Sequence, residues 1–318
     1  MPCRNGAPAE IRTPKSDPGH FAGFGRGLSV GQRPFLPISA ETRTAPGVCV
    51  RQTLVIQAPK LGARIMRYEL ADYEWVAIKP MLPNKPRGVP RVNDRRVLNG
   101  IFWVLRSGAP WRDLPDHFGP YTTCYNRFVR WRRAGVWGRI IDALAGAHDA
   151  AVQMIDTSIV RVHQHGACIT RKQRQSMGRS RGDLTSKIHA VVDSNGLPVR
   201  LALSPGEAHD VRLAGKLLSR LRFGSMLLAD RGYDADWIRE LAIKKGAWAN
   251  IPPKSNRNDP ICFSPYLYRS RNQVERFFNR IKQCRRVATR YDRLAANYLA
   301  FVQLASIRLW LRFYESAS

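Results

Sequence analysis

Two short apolar runs that each stop at an aspartate constrain this chain more than any other feature. AVQMI (151–155) runs into Asp156, and SMLLA (225–229) runs into Asp230. Strands are poor in aspartate and burying a carboxylate is costly, so an aspartate that closes a buried strand is there to cap, to turn or to bind. One such residue reads most simply as a turn. Two of them, separated by a hairpin, describe a sheet that carries both carboxylates to one place. The hairpin lies in KIHAVVDSNGLPVRLALSPG (187–206). Ile188, Ala190 and Val192 alternate before the Asn195-Gly196 turn, and Val199, Leu201 and Leu203 alternate after it.

A third acid, Glu275, falls in a segment with helical period that opens on Ser264-Pro265, a suitable cap and first turn. At 100° per residue, Tyr268, Arg271, Glu275 and Lys282 share a stripe roughly 60° wide. Leu267, Val274, Phe277, Phe278 and Ile281 form a separate apolar face able to dock on a sheet. Between the second aspartate and this helix, DADWIRELAIKKG (234–246) predicts a helix capped by Asp234 and ended by Gly246, and GAWANIPP (246–253) a strand. LAANYLAFVQLASIRLWLRF (294–313) predicts a largely apolar final helix. The order strand, hairpin, strand, helix, strand, helix gives an α/β fold, a mixed sheet with flanking helices in the RNase H-like arrangement.

Two strand ends and one helix can converge three carboxylates, and such a set suits a pair of Mg²⁺ ions. Hard oxygen ligands hold Mg²⁺, and paired metals clamp the attacking and leaving oxygens of a phosphodiester. The bland alternative for Glu275 is an exposed charged face with local ion pairs, which the two strand aspartates make harder to sustain. His189 and His209 could lie near the acids, but a strand histidine is more often packed and hydrogen-bonded than catalytic.

Charge points to the same destination. The chain carries 52 Lys and Arg against 24 Asp and Glu, a formal net charge of +28, which favours a polyanionic partner. Basic ribosomal and membrane-surface proteins usually lack a long apolar-rich half, whereas 44% of these residues are hydrophobic and eight are Trp. No apolar stretch reaches the roughly 18 residues of a membrane span, and no signal-peptide core opens the chain. The six cysteines show no CxxC pair and read as free thiols of a reducing cytoplasm. His163-x-His165-x2-Cys168 lacks a second ligand pair, which argues against structural zinc.

The chain divides in three. Residues 1–65 are dense in Gly and Pro without helical or strand period, and are expected to be a disordered or spurious upstream extension ahead of Met66. Residues 66–145 read as an all-α, helix-turn-helix-type DNA-binding domain. Asp72 would cap a helix carrying Trp75, Ile78 and Leu82. Asn93 or Asp94 would cap a second, with Val97, Ile101, Val104 and Leu105 on one face and Gly108 at its end. Thr122 or Thr123 would cap a third, presenting Asn126, Arg130 and Arg133 to DNA and placing Tyr125, Phe128 and Val129 on another face. An oligomerisation domain with a solvated arginine face is the alternative. Residues 150–318 would form the catalytic domain.

From Met66 onward the sequence resembles the DDE transposases of the IS-five family of bacterial insertion sequences, within the larger IS-four/IS-five group. The group's signature Y-(2)-R-(3)-E-(6)-K is met by Tyr268, Arg271, Glu275 and Lys282, and LLADRGYD (227–234), GEAHD (206–210) and MRYELADYEWVAIKPMLP (66–83) look like other motifs of the family. The resemblance implies metal-dependent cleavage at terminal inverted repeats followed by strand transfer. It implies a catalytic triad of Asp156, Asp230 and Glu275 as ligands for two Mg²⁺, with Mn²⁺ able to substitute. Tyr268, Arg271 and Lys282 become DNA-contacting companions. The partners implied are transposon ends, target DNA and a second copy on DNA, in the cytoplasm at the nucleoid, with no membrane and no small-molecule substrate. One departure stands in RKQRQSMGRSRGD (171–183), where Asp183 replaces a usual glycine. A host RNase H-like nuclease would need the same triad without an end-reading domain. A transposase-derived regulator would keep residues 66–145 and lose the triad, which is intact.

Overall fold

The sheet is built on one long strand, β1 (Val152–Val162), in the computed structural model of the chain. One edge of β1 pairs antiparallel with β3 (Asp183–Val192), whose outer edge carries β2 (Gly178–Ser180) and then β4 (Pro198–Pro205). The other edge of β1 is shared. β5 (Met226–Ala229) runs parallel to residues 152–155, and β7 (Thr289–Arg290) runs parallel to residues 161–162. β6 (Trp248–Asn250) extends the sheet beyond β5. The order β4-β3-β1-β5-β6, antiparallel then parallel, is the RNase H-like arrangement expected from the sequence. The described residues are 69–83, 93–147, 151–167 and 175–317, so the proposed extension 1–65 lies outside them.

Ahead of the sheet come α1 (Asp72–Ile78), α2 (Asp94–Ser107), α3 (Tyr121–Arg133) and α4 (Val136–Leu144). The α2 signals behave as expected. Asn93 Oδ1 accepts from the N–H groups of Arg95 and Arg96 at 3.0 and 3.3 Å, and Gly108 ends the helix at φ 74°, a left-handed turn open to glycine. Two caps differ. Asp72 is the first helical residue, and Glu74 reaches back to accept from the Ala71 N–H at 2.9 Å. Likewise α3 starts at Tyr121 behind Pro120, so both Thr122 and Thr123 lie inside the helix. Tyr125 is exposed, because the buried stripe of α3 is Cys124, Phe128 and Trp131.

The remaining helices are α5 (Ala214–Leu217), α6 (Asp236–Lys244), α7 (Pro265–Tyr268), α8 (Asn272–Lys282), α9 (Arg285–Ala288) and α10 (Ala295–Ala317). α10 supplies much of the core, burying Tyr298, Phe301, Val302, Leu304, Ile307, Trp310 and Leu311. It packs on α4, α3 and α1 as well as on β4. The Trp310 Nε1–H donates to Pro198 O at 3.0 Å, and Phe301 stacks on Phe128 at 4.5 Å between ring centroids. One continuous hydrophobic core therefore runs from the first helices into the sheet.

Two residues singled out by the sequence find physical reasons here. Asp183 closes the β2–β3 turn at φ 76°, the left-handed region that glycine enters without penalty and a short polar side chain tolerates better than a branched one. His189 is buried in β3, with its Nε2 2.7 Å from Ser204 Oγ. Burial pushes its imidazole down to about 4, the nearby Asp210 charge opposing this and Lys187 adding to it. The ring is neutral in the fold and would take a proton near pH 6.5 once unfolded. Its contribution is thus present above about pH 6.5 and lost as pH falls toward 4, by up to about 3 kcal/mol in total. Urea unfolding of His189→Gln should show a flatter loss of stability between pH 7 and 5 than the unmodified chain; equal slopes would contradict this assignment.

Candidate active site

A gap in strand pairing creates the site. The last β1–β5 pair is Ile155 with Ala229, so the next residues along the two parallel strands are Asp156 and Asp230. Parallel neighbours lie about 4.8 Å apart, and both backbones deliver a carboxylate at the same level. Beyond them β5 stops, and β7 does not begin to pair until Arg161. Among the described residues, 156–160 of β1 thus have no strand partner on that edge. Asp156 does not close its strand as expected; it stands mid-strand, at the point where one neighbour ends.

Side chains line the opening. Asp156 Oδ1 accepts from the Thr157 N–H at 2.8 Å, and the Lys282 ammonium donates to Ile159 O at 3.3 Å. Burial pushes the Asp156 carboxyl up and the neighbouring Asp230 charge adds to this, outweighing the opposing Thr157 N–H and Arg271 guanidinium. Burial also pushes the Lys282 ammonium down.

Glu275 arrives from α8, which docks on β1 and β3 through buried Val274, Phe277, Phe278 and Ile281. The segment before it is not one unbroken α-helix. α7 is a single α-helical turn, Arg269–Arg271 tighten to a 3₁₀ turn, and α8 follows. Ser264 Oγ accepts from the Leu267 N–H at 3.4 Å, the cap expected from the sequence. At the tight turn Arg271 spreads its guanidinium across the site. Nη1 donates to Asp156 Oδ2 at 2.7 Å, Nη2 to Glu275 Oε1 at 2.8 Å, and Nε to the Tyr268 hydroxyl at 3.1 Å.

The structure therefore brings Asp156 and Asp230 together and ties Glu275 to Asp156 through Arg271. It does not gather three acids directly: among the described residues no group of three His, Cys, Asp or Glu could hold a metal ion. Lys282 lies on the same open stretch of β1. Asn126, Arg130 and Arg133 are all exposed on α3, a different part of the molecule's surface.

The turn after β5 holds groups that sequence reasoning missed. Asp230 Oδ1 is buried without a hydrogen-bond partner among the described residues, and so is the Tyr233 hydroxyl. Burial pushes the Tyr233 phenol up, and the charges of Asp210, Asp156 and Asp230 push it further. Asp210 is held by Lys187, whose Nζ donates to its Oδ1 at 2.8 Å. A Cβ on Gly232 would sit 3.1 Å from Asp230 Oδ1, so glycine lets this turn fold against its own carboxylate. ADRGYD and GEAHD were visible as motifs, but nothing in their spacing reveals that they meet. Orphaned buried oxygen beside a second carboxylate is the donor chemistry of a hard divalent cation, so Asp156 and Asp230 fit one.

Fold and site together define an RNase H-like catalytic domain with acids at the parting of its parallel strands. Residues 147–310 match the family described as Transposase DDE domain, and residues 70–141 match Putative transposase of IS4/5 family. The chain is 39% identical over 130 residues to a putative transposase for insertion sequence element IS6501 from Brucella ovis, covering 41% of this chain and all of that protein (100%). It is 38% identical over 113 residues to uncharacterized protein y4sN of Sinorhizobium fredii, covering 35% of this chain and 90% of that one. Among solved structures, the piggyBac transposase synaptic complex with hairpin DNA aligns with a TM-score of 0.47 at 11% identity, over 77% of this chain and 71% of that chain. The chain belongs to the DDE transposases of the IS4/5 family.

The path from the second acid to the third is clamped at both ends. Asp234 does not cap α6, which starts at Asp236 behind Ala235. Its side chain is fully buried instead, accepting from Arg239 Nε at 2.9 Å, Arg257 Nε at 2.7 Å and the Lys254 N–H at 2.8 Å. Asn250 of β6 exchanges two bonds with the Ser264 backbone, at 3.1 and 2.8 Å, fixing where α7 begins. Burial alone would push the Asp234 carboxyl up, but the bonds from Arg257, Lys254 and Arg239 together hold it at about 2. A depressed carboxyl stabilises the fold above its ordinary pKa near 4 and loses that contribution as pH falls toward 2. Asp234→Ala should cost on the order of 3 kcal/mol by urea unfolding, because it strands buried guanidinium groups. The cost should be the same at pH 7 and pH 5; a cost below about 1 kcal/mol at either pH would mean the clamp is dispensable.

Proposed function

We propose that this transposase cuts and joins DNA at a divalent-metal site held by Asp156, Asp230 and Glu275. The observation that carries the reading is the unpartnered, buried Asp230 oxygen beside Asp156 on the adjoining parallel strand. Two Mg²⁺ are the ions proposed, with Mn²⁺ able to replace them. When bound, they supply Lewis-acid polarisation of the scissile phosphate and a deprotonated water or 3′-hydroxyl as nucleophile.

The chain's own residues bind and position. Asp156 and Asp230 would hold the ions from the sheet, with Asp156 proposed to serve both, and Glu275 would hold from α8. Tyr268, Arg271 and Lys282, set along one side of α7 and α8, take the phosphates flanking the scissile bond and fix its line of attack. The open edge of β1 at residues 156–160 admits the DNA strand. Asn126, Arg130 and Arg133 on α3 read the element's terminal repeats, with residues 66–145 as the end-binding part and 150–318 as the catalytic part. Two copies hold two ends, in the bacterial cytoplasm at the nucleoid. Among the described residues no helix is long and apolar enough to cross a membrane.

Asp156→Asn, Asp230→Asn and Glu275→Gln should each lower cleavage of an end-bearing duplex by at least the order of 10²-fold. Gel-shift affinity for that duplex should change little, and EDTA should stop cleavage by the unmodified chain. Cleavage in EDTA, or binding lost in step with cleavage, would refute the metal reading.

End binding should carry its own signature. With Arg130 and Arg133 both changed to Gln in the full chain, the plot of log affinity against log salt should lose roughly 1.8 from its slope. An unchanged slope would place end recognition elsewhere.

A further inference from the structure

We propose that Arg271 is the resident counter-ion of the metal-free site, and that its transfer to a DNA phosphate opens Asp156 and Glu275 to divalent metal. DNA and metal then bind cooperatively through a single side chain. This rests on the reading of the three acids as metal ligands.

Three observations carry it. First, one guanidinium makes separate bonds to Asp156 Oδ2 and Glu275 Oε1, at 2.7 and 2.8 Å, so it takes one oxygen from each of the two carboxylates that a shared cation would need. The Arg271 and Asp156 side chains are 17% and 16% exposed, so that bond is sheltered, while Glu275 at 57% exposure takes the outer arm of the fork. Second, a planar fork can aim separate nitrogens at two carboxylates at once, and a phosphodiester offers it a bidentate partner. The exchange swaps two carboxylates for one phosphate, with bound metal ions restoring the lost positive charge. Third, Arg271 sits in the 3₁₀ turn between α7 and α8, a tightened stretch of the kind that marks hinges inside helices. A side chain there can turn outward while α8 keeps its buried face on the sheet. The Tyr268 hydroxyl, bonded to Nε at 3.1 Å, travels with the guanidinium toward the phosphate.

Reciprocity follows. Whatever DNA gains by taking Arg271, metal gains by its departure, so each ligand must raise the affinity of the other by the same factor. Without DNA the acids stay paired with their own arginine, and the site holds metal more weakly than when substrate is present.

The test measures Mn²⁺ binding directly, from the electron paramagnetic resonance signal of the free ion, on the full chain with and without a duplex taken from the DNA flanking its gene. For the unmodified chain the duplex should tighten Mn²⁺ binding on the order of tenfold. Arg271→Gln, without the duplex, should already bind Mn²⁺ about as tightly as the unmodified chain does with it, and should gain little more on adding it. Arg271→Lys keeps a point charge that cannot bridge both acids, so it should fall between, and it serves if the glutamine variant fails to fold. The proposal is overturned if both variants bind Mn²⁺ no better than the unmodified chain, or if the duplex tightens all three equally. Glu275→Gln separates the two ideas. If it weakens Mn²⁺ binding while the Arg271 variants do nothing, the acids are ligands and Arg271 is no counter-ion. If it leaves Mn²⁺ binding unchanged, the metal reading itself fails.

Discussion

Two carboxylates brought side by side on adjoining strands, partly withdrawn from water, repel each other unless a nearby positive charge offsets them. That electrostatic constraint organises the centre of this protein. The strand register places Asp156 beside Asp230 regardless of what their side chains prefer. The rest of the site answers the resulting negative charge. Arg271 is laid across Asp156 and Glu275, Lys282 is held at the same open edge of β1, and one Asp230 oxygen is left without a protein partner. That unmatched oxygen is what supports our proposal that the site takes a cation the protein does not itself supply.

Holding that geometry requires a stiff frame, and the frame is α10. Its apolar length joins the first helices and the sheet in one core, so the α3 face bearing Asn126, Arg130 and Arg133 is carried on the same rigid body as the acids. On the proposed roles, recognising an end and presenting a phosphate to the acids would be coupled through this shared packing. The clamp at Asp234 and the Asn250–Ser264 pair do the same on a shorter scale, fixing the start of the segment that delivers Arg271 and Glu275.

Much of this was legible because the signals were local. Period-two alternation around Asn195-Gly196 gave the hairpin, the Ser264-Pro265 start and the apolar set Val274, Phe277, Phe278 and Ile281 gave α8, and Asn93 and Gly108 bracketed α2. What escaped depended on long-range pairing. Asp156 reads as a strand end because polar Thr157 and Ser158 follow it, yet β1 continues because β3 supplies hydrogen bonds as far as Arg161. Asp234 reads as a cap because it precedes a helix, yet Arg239 from within that helix and Arg257 from 23 residues on claim its carboxylate. The bridging by Arg271 was hidden for a different reason. Its helical phase shows that it shares a side with Glu275, but not that Asp156, 115 residues away in sequence, lies under its other nitrogen.

The central claim is that the acids around the β1–β5 parting hold the catalytic metal. Crystals of the chain with an end-bearing duplex, soaked in Mn²⁺ and recorded at the manganese absorption edge, locate the ion without any assumption about activity. The account predicts anomalous density touching the Asp156 and Asp230 carboxylates at about 2.1 Å, with Glu275 completing the shell and Arg271 turned to a phosphate. Manganese bound elsewhere, with Arg271 still bridging Asp156 and Glu275 beside the DNA, would contradict it.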